Sequence, residues 1–301
     1  MTMMLRYFAG FFAWVLTAVL QACPCGCGSV FPLSLYPGET WKYRIGLSRQ
    51  FFQDYVHADG TVGQDISSPA TTDTVQLSVA RALRENLSVF MSLPIERNSH
   101  PDARSHGGIS DPSIGVRWTL NPYQAAQVYR PQVALHMAYK QKIANSLDDA
   151  SEAEVPYLGV HSNGWNEIIP GVDLLFHWNA WSLSGSQAFI LRPMKVKLAG
   201  EDTVSYRSGL GNRSILSAAY TFYGYGQLSG GLEREYFARS SQDGRKLPDS
   251  QVKRYAAFLT SQVRVGTRQT VEMGLRRSGF DEQNQNTPRY VMITVGYAHS
   301  L

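Results

Sequence analysis

The chain closes on Tyr290-Val-Met-Ile-Thr-Val-Gly-Tyr-Ala-His-Ser-Leu301, and the reading of this stretch decides the fold. One parity, Val291, Ile293, Val295, Tyr297 and Leu301, is large and apolar. The other, Met292, Thr294, Gly296, Ala298 and Ser300, is small or mildly polar. A period of two is the signature of a strand whose faces meet different surroundings. Taken alone, the stretch fits either the core strand of a sandwich or a strand between lipid and a lumen. The segments before it decide between the two.

Alternation of the same kind runs backward through the chain. Trp41 to Phe52 sets Tyr43, Ile45, Leu47 and Phe51 against Lys42, Arg44, Gly46, Ser48 and Gln50. Gln132 to Lys140 sets Val133, Leu135, Met137 and Tyr139 against Ala134, His136, Ala138 and Lys140. Asn166 to Trp181 reads likewise, with Asp173 and His177 opposite Ile168, Val172, Leu174 and Phe176. Two details of this region are also expectations: a tight connection over Ser182–Gly185 before a less regular strand, and open loops over 199–212 and 238–251.

Counted through residue 301, the pattern gives 12 strands whose connections alternate between long and short. Strands of this length, charged residues on the inner parity and alternating loop lengths together describe an all-β, 12-stranded antiparallel up-and-down transmembrane β-barrel. Both termini then share the periplasmic side with the short turns. The closing strand is expected to pair with Trp41–Phe52. A soluble sandwich predicts shorter strands and no alternation of loop length.

Composition agrees. Charged residues are 17% of the 301, net charge is +4 with no basic block, and mean hydropathy is −0.22. A nucleic-acid partner leaves a basic footprint that is missing here. Beyond residue 20 no apolar run approaches the length of a membrane helix, whereas a barrel hides its hydrophobicity in alternation.

The first residues read as an export signal: Arg6, then the apolar run Tyr7 to Leu20. Residues 1–22 form the expected signal peptide, 23–40 an extended Cys-rich periplasmic segment, and 41–301 the barrel. Leu20-Gln-Ala-Cys23 fits both cleavage after Ala22 and a lipobox that would lipidate Cys23, making the protein a lipoprotein. Cys25 and Cys27 then remain as a short thiol pair able to hold a soft metal ion such as Cu(I), or to form a local disulfide. No organic cofactor is expected.

Gly108-Ile-Ser-Asp-Pro-Ser-Ile-Gly-Val-Arg-Trp-Thr-Leu120 resembles the strand-opening motif of outer-membrane proteins of the meta-pathway phenol-degradation family. That resemblance implies transport of hydrophobic or aromatic compounds. The expected determinants are side chains lining the lumen: Arg44, Arg117, His136, Lys140, Asp173, His177, Glu233, Arg254 and Glu272.

The expected function is a porin-like channel or transporter for small solutes in a Gram-negative outer membrane, in contact with its lipid. Two alternatives stand beside it. One is a structural or metal-binding component of an outer-membrane assembly, oligomeric or held to a periplasmic partner through Cys23–Cys27. The other follows His161-Ser-Asn-Gly164 and Asn166, which resemble the motif of outer-membrane phospholipases, with Ser162 as nucleophile. Adjacent positions of a strand point to opposite faces, so His161 and Ser162 would need a turn to meet.

Overall fold

A computed structural model describes residues 35, 38–57, 59, 61–63, 71–100, 103–121, 130–144, 162, 164–199, 202–222, 226–248, 250–279 and 287–301. The expected signal peptide, and Cys23, Cys25, Cys27 and His161, lie outside these residues.

Alternating segments long enough to cross a bilayer bury their backbone polarity by pairing with both neighbours, and closure removes the last free edge. The staves are β1 (Trp41–Val56), β2 (Thr71–Arg84), β3 (Leu87–His100), β4 (Ser113–Thr119), β5 (Gln132–Lys140), β6 (Glu167–Trp178), β7 (Trp181–Ile190), β8 (Gly211–Phe222), β9 (Gly226–Phe237), β10 (Val252–Arg264), β11 (Gln269–Ser278) and β12 (Thr287–Ser300). Each pairs antiparallel with its sequence neighbours, and β12 returns to β1, giving a closed 12-stranded barrel. The seam runs from Lys42↔Ser300 through Leu47↔Val295 to Val56↔Thr287. At its base the Leu301 carbonyl accepts from Thr40 N at 2.7 Å, and Leu301 N donates to Trp41 O at 2.8 Å.

The alternation sorts itself as the sequence implies. Ile45 and Leu47 are about half exposed on the outside, as are Ile293 and Val295 across the seam, while Gly46, Gln50, Gly296 and Ala298 are buried inside. The apolar parity continues around the wall through Ile114, Met137, Leu232, Leu259 and Met273. An exposed apolar surface of this extent is a lipid face. Replacing Leu47 by arginine is therefore expected to cost about 2–4 kcal/mol of barrel stability in bilayers. Ser48→Arg, on the inner parity, should escape that lipid penalty. Denaturant titration of the refolded variants distinguishes the two positions.

Aromatic rings gather at the short-turn end. Trp41 stacks on Tyr43 at 5.9 Å, Arg81 covers Trp41, and Trp181 meets Tyr220 edge-on at 4.9 Å. Trp178 pairs with Trp181 across a two-residue turn at Asn179–Ala180, where Asn179 takes a left-handed φ of 51°. The turn thus lies ahead of the expected Ser182–Gly185 connection, because Asn tolerates that backbone region, and Gly185 sits within β7.

The long-loop end departs from the sequence reading in two places. The expected loops at 199–212 and 238–251 contain the strands Asp202–Arg207, Ser241–Gln242 and Arg245–Lys246, which with Lys195–Ala199, cut off from the expected less regular strand, form a separate four-stranded sheet. Its short strands are turned by Asp243 and Gly244 at positive φ, and Asp243 Oδ1 accepts from Ser205 N at 2.7 Å. Short polar strands with charged residues give little periodicity to read.

The second departure is in the stave that carries Gly108–Leu120. Here Ala103–Ile109 pairs with the outer part of β3, and β4 pairs with the inner part. The register moves by one residue between Ile95↔Ile109 and Ser92↔Ser113. Ser110–Pro112 is thus a bulge, opposite Pro94, whose carbonyl accepts from Ser110 N at 2.9 Å. Neither proline can donate to a ladder, so this break is where the chain places them. Pro170 acts similarly in β6. The ladder to β7 stops at Gly171↔Ala188 and resumes only as the single bridge Ile168↔Leu191.

Candidate functional site in the barrel interior

The inner parity carries ionic groups at four places and an apolar patch at a fifth. Near the short-turn end, Arg44 on β1 donates from Nε to Glu272 Oε2 on β11 at 2.9 Å, with Nη2 at 2.8 Å from the same oxygen. Gln262 on β10 donates to the other oxygen at 3.3 Å. Gly46 and Gly296, paired at the seam, leave the inner wall bare beside this cluster.

On the opposite wall, Asp173 of β6 gathers three neighbours. Arg117 Nε of β4 donates to Oδ2 at 3.2 Å, Ser186 Oγ of β7 donates to Oδ1 at 2.7 Å, and His136 Nδ1 of β5 lies 3.4 Å from Oδ2. The His136 ring occupies space that Gly171 leaves open. A Cβ at Gly171 would overlap His136 Nε2 and lie 2.8 Å from the Gln187 carbonyl. Gly115 plays the same part beneath the Phe90 ring, where a Cβ would lie 2.5 Å from Phe90 Cζ. Gly171→Ala is expected to push the imidazole off Asp173 and to cost about 1–3 kcal/mol, as overpacking does. Equilibrium unfolding measures the cost, and the His136 ring resonances report the displacement.

Toward the long-loop end the charges are buried deeply. Arg213 of β8 donates to Glu235 Oε1 of β9 from Nε at 3.2 Å and Nη2 at 2.7 Å, and its Nε stands 3.7 Å from Glu233 Oε1. Arg276 of β11 holds the same Glu233 oxygen at 3.0 Å. Arg254 and Arg276 both face the Tyr290 ring, at 5.4 and 5.9 Å from its centroid. Glu235 is 0% exposed. Nearby, Arg192 forks onto Glu167 Oε1 at 2.6 and 2.8 Å and lies over Phe237 at 4.0 Å. Charges taken so far from water persist only with close counter-charges and hydrogen bonds.

The bulge aims Asp111 inward. Its Oδ1 accepts from Ile143 N at 3.1 Å and Ala144 N at 3.3 Å. Its Oδ2 accepts from Ser162 Oγ at 2.6 Å and lies 3.4 Å from Lys140 Nζ. Ser162 is 1% exposed and also accepts from Gly164 N at 2.9 Å, so its hydroxyl ties Ser162 and Gly164 to the bulge. Asn166 Oδ1 accepts from Lys142 N at 2.7 Å.

The apolar patch consists of Ala80, Phe90, Ala138, Ile169, Ala188, Ile190 and Phe237, with Leu35 and Val252 packed against it. These belong to the inward parity of β2, β3, β5, β6, β7 and β9. Leu35 precedes β1 in sequence and still reaches this patch.

Of the sequence-derived lumen candidates, Arg117, His136 and Asp173 come together, as do Arg44 and Glu272. Glu233 and Arg254 join the long-loop network, Lys140 pairs with Asp111, and His177 lies half-buried toward the short-turn end of β6. Arg213, Glu235, Arg276, Glu167, Arg192 and Asp111 are absent from that sequence-derived set. Glu235 and Arg276 nonetheless lie on the charged parity that the sequence assigns to the lumen, with Glu233 and Glu272. Arg213 and Glu167 lie next to the expected strand ends, and Asp111 is turned inward by a bulge. Among the described residues no group of three or more His, Cys, Asp or Glu could hold a metal ion.

No family model matches the chain, and no curated protein matches it. Solved structures do. An outer-membrane channel from Pseudomonas putida F1 aligns with a TM-score of 0.68 at 12% identity, over 91% of this chain and 99% of that one. A monoaromatic hydrocarbon channel aligns at 0.45 and 10% identity, over 93% and 98%. The translocator domain of an autotransporter from Neisseria meningitidis aligns at 0.45 and 10%, over 88% and 89%. Neither of these two informs the reading further. The chain has the fold of an outer-membrane β-barrel, and that is the identity its strands, seam and lipid face establish.

Proposed function

We propose that the protein is an outer-membrane channel for small, weakly polar solutes of the aromatic or hydrophobic class, with both termini and the short turns in the periplasm. The observation that carries this reading is the interior. An apolar patch built on Phe90, Ile169, Ile190 and Phe237 shares the inner wall with charges paired to one another. Paired charges leave little fixed field to select an ion, and apolar side chains give an uncharged ring something to adsorb on. The resemblance of Gly108–Leu120 to the phenol-degradation family supports the same solute class. The side with the short turns and termini is read as periplasmic because barrels of this kind keep their longer loops outside.

Proteoliposome swelling tests the proposal. An aromatic alcohol should enter faster than a pentose of similar size, and Ile169→Ser together with Ile190→Ser should remove that advantage. Equal entry of both solutes, or no entry of either, would count against the channel reading.

A further inference from the structure

The outside of the barrel is not uniform around its circumference at the long-loop end. On β9, β10, β11, β12, β1 and β3, which are contiguous except for β2, the outward parity carries Arg234, Lys253, Arg277, Arg289, Arg49 and Arg97 toward the long-loop end, with Tyr236 beyond Arg234 and Phe51 beyond Arg49. The pairings fix their side of the wall. Arg234 is partnered with Tyr255, Lys253 with Tyr236, and Arg277 with Val291, each opposite in parity to the inward Glu233, Glu235, Arg254 and Arg276. Arg49 is 56% exposed while bonded to Asp73 at 2.6 Å, and Arg97 reaches Ser105 Oγ at 2.8 Å. Arg289 stands 3.7 Å from Asp54. Among the described residues, Asp73 and Asp54 are the acidic groups paired with these six basic ones. On the other half of the wall the corresponding places hold Tyr139, Ile168, Phe189, Leu191 and Leu210, all exposed and none cationic.

We infer that this arc binds the phosphate groups of a phosphorylated glycolipid in the outer leaflet. The inference rests on the proposed orientation, which puts the long-loop end outside. Cations placed where an apolar belt ends lie at the depth of lipid headgroups, where their stems remain in the acyl region and their charges meet phosphate. Arg forks match phosphate oxygens. Tyr236 and Tyr255, beside Lys253 and Arg234, are interfacial side chains of the kind that anchor at this depth.

The full chain in neutral detergent, titrated with a bisphosphorylated acyl-disaccharide, its dephosphorylated form and phosphatidylglycerol, tests this. The bisphosphorylated lipid should bind tightest. The combined change R234Q, K253Q and R277Q should weaken it about 100-fold, on the scale of one interfacial cation per phosphate contact. Equal binding of the dephosphorylated lipid overturns the inference, as does unchanged binding by the triple variant. Equal binding of phosphatidylglycerol overturns the choice of glycolipid. Should the triple variant fail to fold, the wild-type affinity must fall as salt rises from about 50 to about 500 mM, and a constant affinity overturns the inference. Failure of the orientation shows separately, as an epitope tag at 245–246 that antibody cannot reach on intact cells. Failure of the channel reading shows only in the swelling assay.

Discussion

Arg213→Leu is expected to destabilise the barrel by about 3–5 kcal/mol, the usual consequence of removing one partner from a buried ion pair. The side chain supplies two hydrogen bonds to Glu235 Oε1, at 3.2 and 2.7 Å, and Glu235 is 0% exposed. The expensive outcome is not the lost attraction but a carboxylate kept out of water with one counter-charge fewer. Glu233 is affected less, since Arg276 remains at 3.0 Å. The double change Arg213→Leu with Glu235→Leu should therefore recover most of the loss, because two apolar groups of similar size need no counter-charge. Urea unfolding of the two variants beside the parent measures this. A single variant as stable as the parent would mean that the network is solvated.

Asp111→Leu is expected to act at the other wall. One carboxylate accepts from Ser162 Oγ, Ile143 N and Ala144 N and lies 3.4 Å from Lys140 Nζ. Leucine accepts none of these bonds. A buried donor left unmet costs about 1–3 kcal/mol, so the loss should rival that of Arg213→Leu. Asp111→Asn keeps an acceptor oxygen and should lose less. Hydrogen exchange at Ile143 and Ala144 is the specific readout, with both amides faster in the leucine variant and near the parental rate in Ser162→Ala.

How much of this could be read from the chain depends on which physical signal each part carries. The staves were legible because lipid on one side and a lumen on the other impose a two-residue period. Closure followed from it, and the expected pairing of Tyr290–Leu301 with Trp41–Phe52 is present, in a register that sets Leu47 opposite Val295. The turn at Asn179–Ala180 was missed because Trp178 and Ala180 continue the apolar parity across it, hiding the positive φ of Asn179. Ser110–Pro112 was legible as a motif but not as a bulge, since a one-residue register shift shows only against the partner strand. The interior was half legible. Parity tells that Glu233 and Glu272 share a face, but not that Glu233 meets Arg213 and Arg276 while Glu272 meets Arg44. Those partners are set by barrel curvature and stagger, which place residues far apart in sequence side by side.

The central claim is that one parity of this wall faces lipid and the other the lumen. It is tested most directly by depth-reporting fluorescence, with single labels placed at Leu47, Ser48, Thr294 and Val295 after the three native cysteines are changed to serine. In liposomes containing brominated lipid, labels at Leu47 and Val295 should be quenched, and labels at Ser48 and Thr294 should not. Equal quenching at all four positions, or the opposite alternation, would contradict the barrel.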